Sequence, residues 1–100
     1  MGTPEGEFKR RIRKRLEEDG IFQINVGEGA FSTPGIPVII IVINGLFVGL
    51  EVKTYKGSQS PVQKQFQRKT ESAGGLYYII RSMADLECAI KDAREITQRV

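Results

Sequence analysis

Two apolar runs, residues 38–43 and 46–54, are separated by the dipeptide Asn44-Gly45, and no other feature of the chain restricts its fold so tightly. Asn-Gly favours a two-residue primed turn, because both central residues there need positive φ. The spacing therefore predicts an antiparallel hairpin in which Ile43 faces Leu46 and each step back along one strand matches a step forward along the other. Position 38 then falls opposite Glu51, and because side chains alternate, Glu51, Lys53 and position 38 share one face. Directly opposed β-carbons lie about 4.5–5.5 Å apart, close enough for two carboxylates to share one metal ion. Leu50 and Val52 mark the other face as core.

The flanking segments read as helices and strands around that hairpin. Thr3, Pro4, Glu5 and Glu7 have the order of an N-cap, a first helical residue and an acidic first turn, and Gly20 closes a helix over residues 4–19. Phe8, Ile12 and Leu16 form its buried stripe, and at about 100° per residue Glu5 projects between Ile12 and Leu16, on the apolar side. Phe22, Ile24 and Val26 alternate with polar residues, as in a strand with one face on the core, and residues 27–35 follow as a loop. Ser60-Pro61-Val62-Gln63 has the pattern of a capping box and opens a second helix with Val62, Phe66 and Ala73 as its core stripe; Ala73-Gly74-Gly75 ends it. Residues 76–80 read as a buried strand, and Ser82 caps a third helix carrying Leu86, Ile90, Ala93 and Val100 at helical spacing. Strand, helix, strand after the hairpin implies a crossover to a parallel neighbour. The expected fold class is α/β, in the order αβββαβα, with a mixed central sheet flanked by helices.

A chain of 100 residues has room for one core, so residues 1–100 are read as a single domain. With 40% hydrophobic and 27% charged residues the composition is that of an ordinary globular protein. The chain has no histidine and one cysteine, Cys88, which excludes a catalytic imidazole, an internal disulfide and a Cys/His zinc site. Any hydrolytic chemistry rests on carboxylates, lysine and a hard metal. The net charge is only +3, yet six of the seven residues 9–15 are basic, so a polyanion is the natural partner. Arg10, Arg13 and Lys14 point away from the helix stripe as candidate phosphate contacts, and Lys56 and Lys64 flank the hairpin face in the same capacity.

Each candidate has a plain structural reading beside the chemical one. Glu51 and Lys53 could be charged residues on an exposed strand. Gln63 occupies the third position of a capping box, and Glu5 could do no more than complement the helix dipole. Cys88 reads as a packing residue, and Tyr77 and Tyr78 as residues of the last strand.

Gly35-Ile36-Pro37, the apolar strand, the Asn-Gly turn, Glu51-Val52-Lys53 and residues 57–63 together resemble the stand-alone VRR-NUC nucleases of the PD-(D/E)xK superfamily, known in phages and bacteria. The resemblance runs from about Glu5 to Arg81. It implies a DNA endonuclease that depends on Mg2+, with Mn2+ as a substitute, and acts on branched DNA such as a Holliday junction. By the resemblance Glu51 and the Val52 carbonyl hold the metal, Lys53 orients or activates the attacking water, Glu5 supports the metal and Gln63 starts the next helix. The family pattern has an aspartate where this chain has Val38. Valine supplies no oxygen to a hard cation, so an inactive or badly impaired enzyme is expected. The alternatives are a DNA-binding module that keeps the nuclease fold without chemistry, and a structural domain. The resemblance also implies a homodimer in the cytoplasm of a bacterial or phage-infected cell; no stretch of the sequence reads as a signal peptide or membrane span.

Overall fold

The computed structural model describes residues 4–26, 39–53 and 56–98. In chain order the elements are α1 (Pro4–Glu18), β1 (Phe22–Asn25), β2 (Ile39–Ile43), β3 (Leu46–Val52), α2 (Pro61–Ser72), β4 (Leu76–Ile80) and α3 (Met83–Gln98). The four strands form one sheet in the order β1-β2-β3-β4, antiparallel across the first two pairs and parallel between β3 and β4. This is the expected αβββαβα arrangement.

The hairpin sets the geometry of the sheet. Asn44 and Gly45 have φ of 49° and 83°, and the pairing runs from Ile43 opposite Leu46 to Ile39 opposite Leu50, as the turn requires. Gly20, at φ 64°, stops α1, and Ile21 N–H returns to the Leu16 carbonyl at 3.0 Å, closing the helix end in the manner of a left-handed C-cap. The capping box of α2 is complete: Ser60 Oγ accepts from Gln63 N–H at 3.2 Å, and Gln63 Oε1 accepts from Ser60 N–H at 2.9 Å. Ser82 Oγ accepts from Asp85 N–H at the start of α3. The proposed N-cap Thr3, the loop at 27–35, Tyr55 and Val100 lie outside the described residues.

The core occupies one face of the sheet. Ile39, Ile41 and Ile43 of β2, Val48, Leu50 and Val52 of β3 and Ile80 of β4 pack against Ile12 and Leu16 of α1 and Leu86, Ala89, Ile90 and Ala93 of α3. Full burial of an aliphatic side chain contributes about 1.5–3 kcal/mol, so this layer is the main source of stability. Arg15 of α1 ties the two helices together, with Glu87 of α3 at 2.6 Å and Asp19 at 3.0 Å; Arg94 of α3 also pairs with Asp19.

Residues 47, 49 and 51 of β3 point to the opposite face, and there α2 packs. Its Phe66 ring lies 6.4 Å from that of Tyr77, tilted by 51°. This second layer is thin: α2 has no buried residue. The expected α2 stripe is thus corrected to Phe66 alone, half-buried, while Val62 and Ala73 are exposed because they sit near the ends of the helix, beyond its contact with Tyr77. The expected inward face of β1 is corrected as well. Phe22 and Ile24 are exposed, because pairing of Ile24 with Ile40 assigns them to the face opposite Ile39 and Ile41. Gln23 points to the α1 side instead, its amide donating to the Arg13 carbonyl at 3.1 Å. Cys88 lies in α3 as expected but is exposed, since α3 turns Ala89 and Ile90 to the core.

Candidate functional site

Glu51 sits one residue before the end of β3, on the α2 side of the sheet, with 1% of its surface exposed. A buried carboxylate is costly, by several kcal/mol, when it lacks compensating partners. Here both direct partners are neutral and both reach the same oxygen. Tyr77 Oη donates to Glu51 Oε1 at 2.5 Å, and Gln59 Nε2 donates to it at 3.1 Å. The other oxygen, Oε2, is buried and has no partner among the described residues. Burial and the hydrogen bond to Glu51, in that order, hold the Tyr77 hydroxyl well above the ordinary tyrosine pKa, so it stays a donor.

A short chain of contacts supports this arrangement. Gln59 Nε2 also donates to Gln67 Oε1 of α2 at 2.8 Å, which links the loop before α2 to the helix. Arg81 Nη1, at the end of β4, donates to the Gly57 carbonyl at 2.6 Å and pins the same loop from the other side. Residues 57–59 are therefore tied both to β4 and to α2.

Lys53 N–H donates to the Ile80 carbonyl at 3.1 Å, so the ladder continues one residue past β3. Lys53, half-buried, accordingly shares the face of Glu51. Because the peptide is trans and planar, a Lys53 N–H that points to β4 turns the Val52 carbonyl away from β4, toward the β2 side. Glu51, Val52 and Lys53 thus stand together at the end of β3. Val38 lies outside the described residues.

Glu5 and Gln63 have partners of their own. Glu5 is exposed, and its carboxylate pairs with Lys9 at 3.6 Å. It is not buried, because the whole first turn of α1, residues 4–7, is exposed; burial becomes complete only at Ile12 and Leu16, and α1 packs on the face opposite Glu51. Gln63 uses its side-chain oxygen in the capping box, and the amide that reaches Glu51 belongs to Gln59. Sequence reasoning missed Gln59, Gln67 and Tyr77. Alternation along β4 could have flagged Tyr77 once its register opposite Gly49 was known, but a crossover connection does not set that register.

The basic candidates fall into two groups. Arg10, Arg13 and Lys14 line a shallow cleft with Gln23 and Asn25 on the α1 side, and Arg10 is ion-paired with Glu7. Lys64 is exposed on α2, and Lys56 is exposed in the segment that precedes it.

No family model and no curated protein matches the chain. A solved structure described as a VRR_NUC domain does, with a TM-score of 0.73 at 20% identity, over 90% of this chain and 97% of that one. The chain has the VRR-NUC fold. At that identity the likeness establishes architecture, namely a small α/β domain with a mixed four-stranded sheet flanked by helices, and the chemistry rests on the residues. A magnesium-type cation takes oxygen ligands, retains several waters and is commonly held by one or two carboxylates. In this VRR-NUC fold Glu51 Oε2 fits such an ion, being a buried oxygen with no other partner among the described residues. No group of three or more His, Cys, Asp or Glu side chains gathers among the described residues. No helix among them is long and apolar enough to cross a membrane.

Proposed function

We propose that this chain binds DNA, in particular branched DNA such as a four-way junction, and that Glu51 and Lys53 belong to a divalent-cation-dependent phosphodiester-hydrolysing site that works at a much reduced rate. The observation that carries the reading is the buried Glu51 carboxylate with one unpartnered oxygen, followed two residues later by Lys53 on the same face. Burial of an acid without a cationic partner destabilises a fold, and a ligand that takes up the second oxygen accounts for it.

In this reading Glu51 Oε2 and the Val52 carbonyl hold the cation, Mg2+ or Mn2+. When bound, such an ion polarises a phosphoryl oxygen and neutralises the charge that develops in the transition state. Lys53 orients the attacking water. Gln63 fixes the start of α2, and Glu5, exposed and paired with Lys9, is given no role in this reading. Val38 stands where the resembled family has an acid, and a valine there withholds one ligand, so cation affinity and rate fall together. Arg10, Arg13, Lys14, Lys56 and Lys64 contact phosphates, positioning the DNA without reading its sequence. A homodimer would bring two such sites to one junction for paired cuts.

A second reading is a binding module with the nuclease fold and no chemistry, favoured by the lack, among the described residues, of any group of three or more His, Cys, Asp or Glu side chains placed to hold a metal ion. One experiment separates the two. This chain and its Val38→Asp variant are incubated with a labelled four-way junction, with Mg2+ and then Mn2+, and resolved on a denaturing gel. The nuclease reading expects cation-dependent cutting by Val38→Asp at least about a hundredfold faster than by the parent, a step of roughly 2.7 kcal/mol, and its loss in Val38→Asp/Lys53→Ala. Binding by both with cutting by neither makes the module reading correct.

A further inference from the structure

The hydrogen bonds around Glu51 are unevenly shared between its two oxygens. Tyr77 and Gln59 both donate to Oε1, at 2.5 Å and 3.1 Å, and none of the described residues reaches Oε2. A carboxylate free to rotate about its last bond can offer either oxygen, or both, to a cation. This one cannot turn without breaking two hydrogen bonds inside a site that is 1% exposed. Gln59 is itself oriented: its amide nitrogen is shared with Gln67 Oε1 at 2.8 Å, which fixes which end of the amide faces Glu51. The loop beneath it is held by Arg81 through the Gly57 carbonyl. Tyr77 is fixed by its place in β4 opposite Gly49 and by the Phe66 ring.

We propose that Tyr77 and Gln59 are positioning residues that occupy Glu51 Oε1 and so make Oε2 the single carboxylate oxygen offered to a divalent cation. The inference rests on the reading of Glu51 as a cation ligand and adds to it the residues that set the ligand's orientation. Neither residue touches the reacting atoms. Their effect passes through Glu51, as outer partners of metal ligands act elsewhere by fixing orientation before the ion arrives. Tyr77 is suited to the task because its hydroxyl lies 2.5 Å from Oε1 on a ring that is itself buried.

The test uses the intact chain. Mn2+ is titrated by calorimetry into the parent, Glu51→Gln, Tyr77→Phe and Gln59→Ala proteins, each first checked for its fold by circular dichroism. In parallel, Mg2+ is added to isotope-labelled parent protein while the Gln59 side-chain amide resonance is followed. The expected result is binding by the parent, loss of binding in Glu51→Gln, and binding about ten- to a hundredfold weaker in Tyr77→Phe and Gln59→Ala. The Gln59 amide resonance should shift with Mg2+ in the parent and stay in place in Glu51→Gln. A purely structural role would lower the melting temperature of the variants while leaving their Mn2+ affinity at the parent's value. Parent-like affinity in both Tyr77→Phe and Gln59→Ala overturns the positioning role while the cation reading of Glu51 stands. Absent binding, or equal binding by the parent and Glu51→Gln, overturns both. Should Tyr77→Phe fail to fold, Gln59→Ala and the amide resonance decide the matter.

Discussion

Tyr77 and Tyr78 are neighbours in β4 that point to opposite faces of the sheet, and each spends its hydroxyl on an acid. Tyr77 donates to Glu51 and Tyr78 to Asp92 of α3. Burial first, then the hydrogen bond and charge of Asp92, then the charge of Glu71, hold the Tyr78 hydroxyl well above the ordinary value near 10. The folded chain therefore keeps a proton that the unfolded chain releases above pH 10, so stability is full below that pH and falls as pH rises beyond it. One such proton contributes at most about 1.4 kcal/mol per pH unit, and less for a half-exposed ring in screening solvent. Urea denaturation between pH 9 and 11.5 should show this decline, and Tyr78→Phe should flatten part of it; an unchanged slope would mean that Asp92 does not hold the proton on Tyr78. From the sequence these two residues could be assigned to a strand but not to their acids. Alternation tells that they diverge, whereas their partners depend on how far β4 slides along β3, and the twelve-residue helix between them leaves that open.

Elements whose register is set by a covalently short connection were legible, and those set by packing were less so. Asn44-Gly45 fixes β2 against β3 because only two residues join them, and the pairing of Ile39 with Leu50 follows without any tertiary information. The capping box of α2 is equally local and was read correctly. Its apolar stripe was not, because how much of a helix is buried depends on the width of the surface beneath it, and the surface beneath α2 leaves none of its residues buried. What α2 leaves outside is charge. Lys64 and Arg68 are exposed, four residues apart and so on one side of the helix, on the same face of the sheet as Glu51; Arg13 and Lys14 sit on α1, across the sheet. DNA seated at Glu51 meets α2 first. Lys64→Ala/Arg68→Ala should therefore lower the slope of log affinity against log salt by about 1.8 for a four-way junction, and by more than Arg13→Ala/Lys14→Ala does. Fluorescence anisotropy across a salt series measures both, and the reverse order would put the DNA on α1.

At the scale of the whole molecule the sheet divides the chain into a thick layer and a thin one. On one side α1 and α3 bury a continuous aliphatic cluster; on the other, α2 has no buried residue, and Phe22 and Ile24 are left exposed. The site belongs to the thin side, where Glu51 is the only buried charged residue among those described. That arrangement has a mechanical consequence. Separation of α2 from the sheet exposes little apolar surface and breaks mainly the Phe66–Tyr77 contact and the Gln67–Gln59 link, while separation of α3 exposes Leu86, Ala89, Ile90 and Ala93 together. Local opening free energy follows buried apolar contact. Native-state hydrogen exchange should therefore show the backbone amides of residues 66–70 exchanging through openings at least about 2 kcal/mol cheaper than those of Ile41, Val48 and Ile90, whose exchange requires loss of the core. The difference should persist at every denaturant concentration below the global transition. Equal protection of α2 and α3 would mean that the thin layer is energetically part of the core, and that access to Glu51 cannot come from movement of α2 alone.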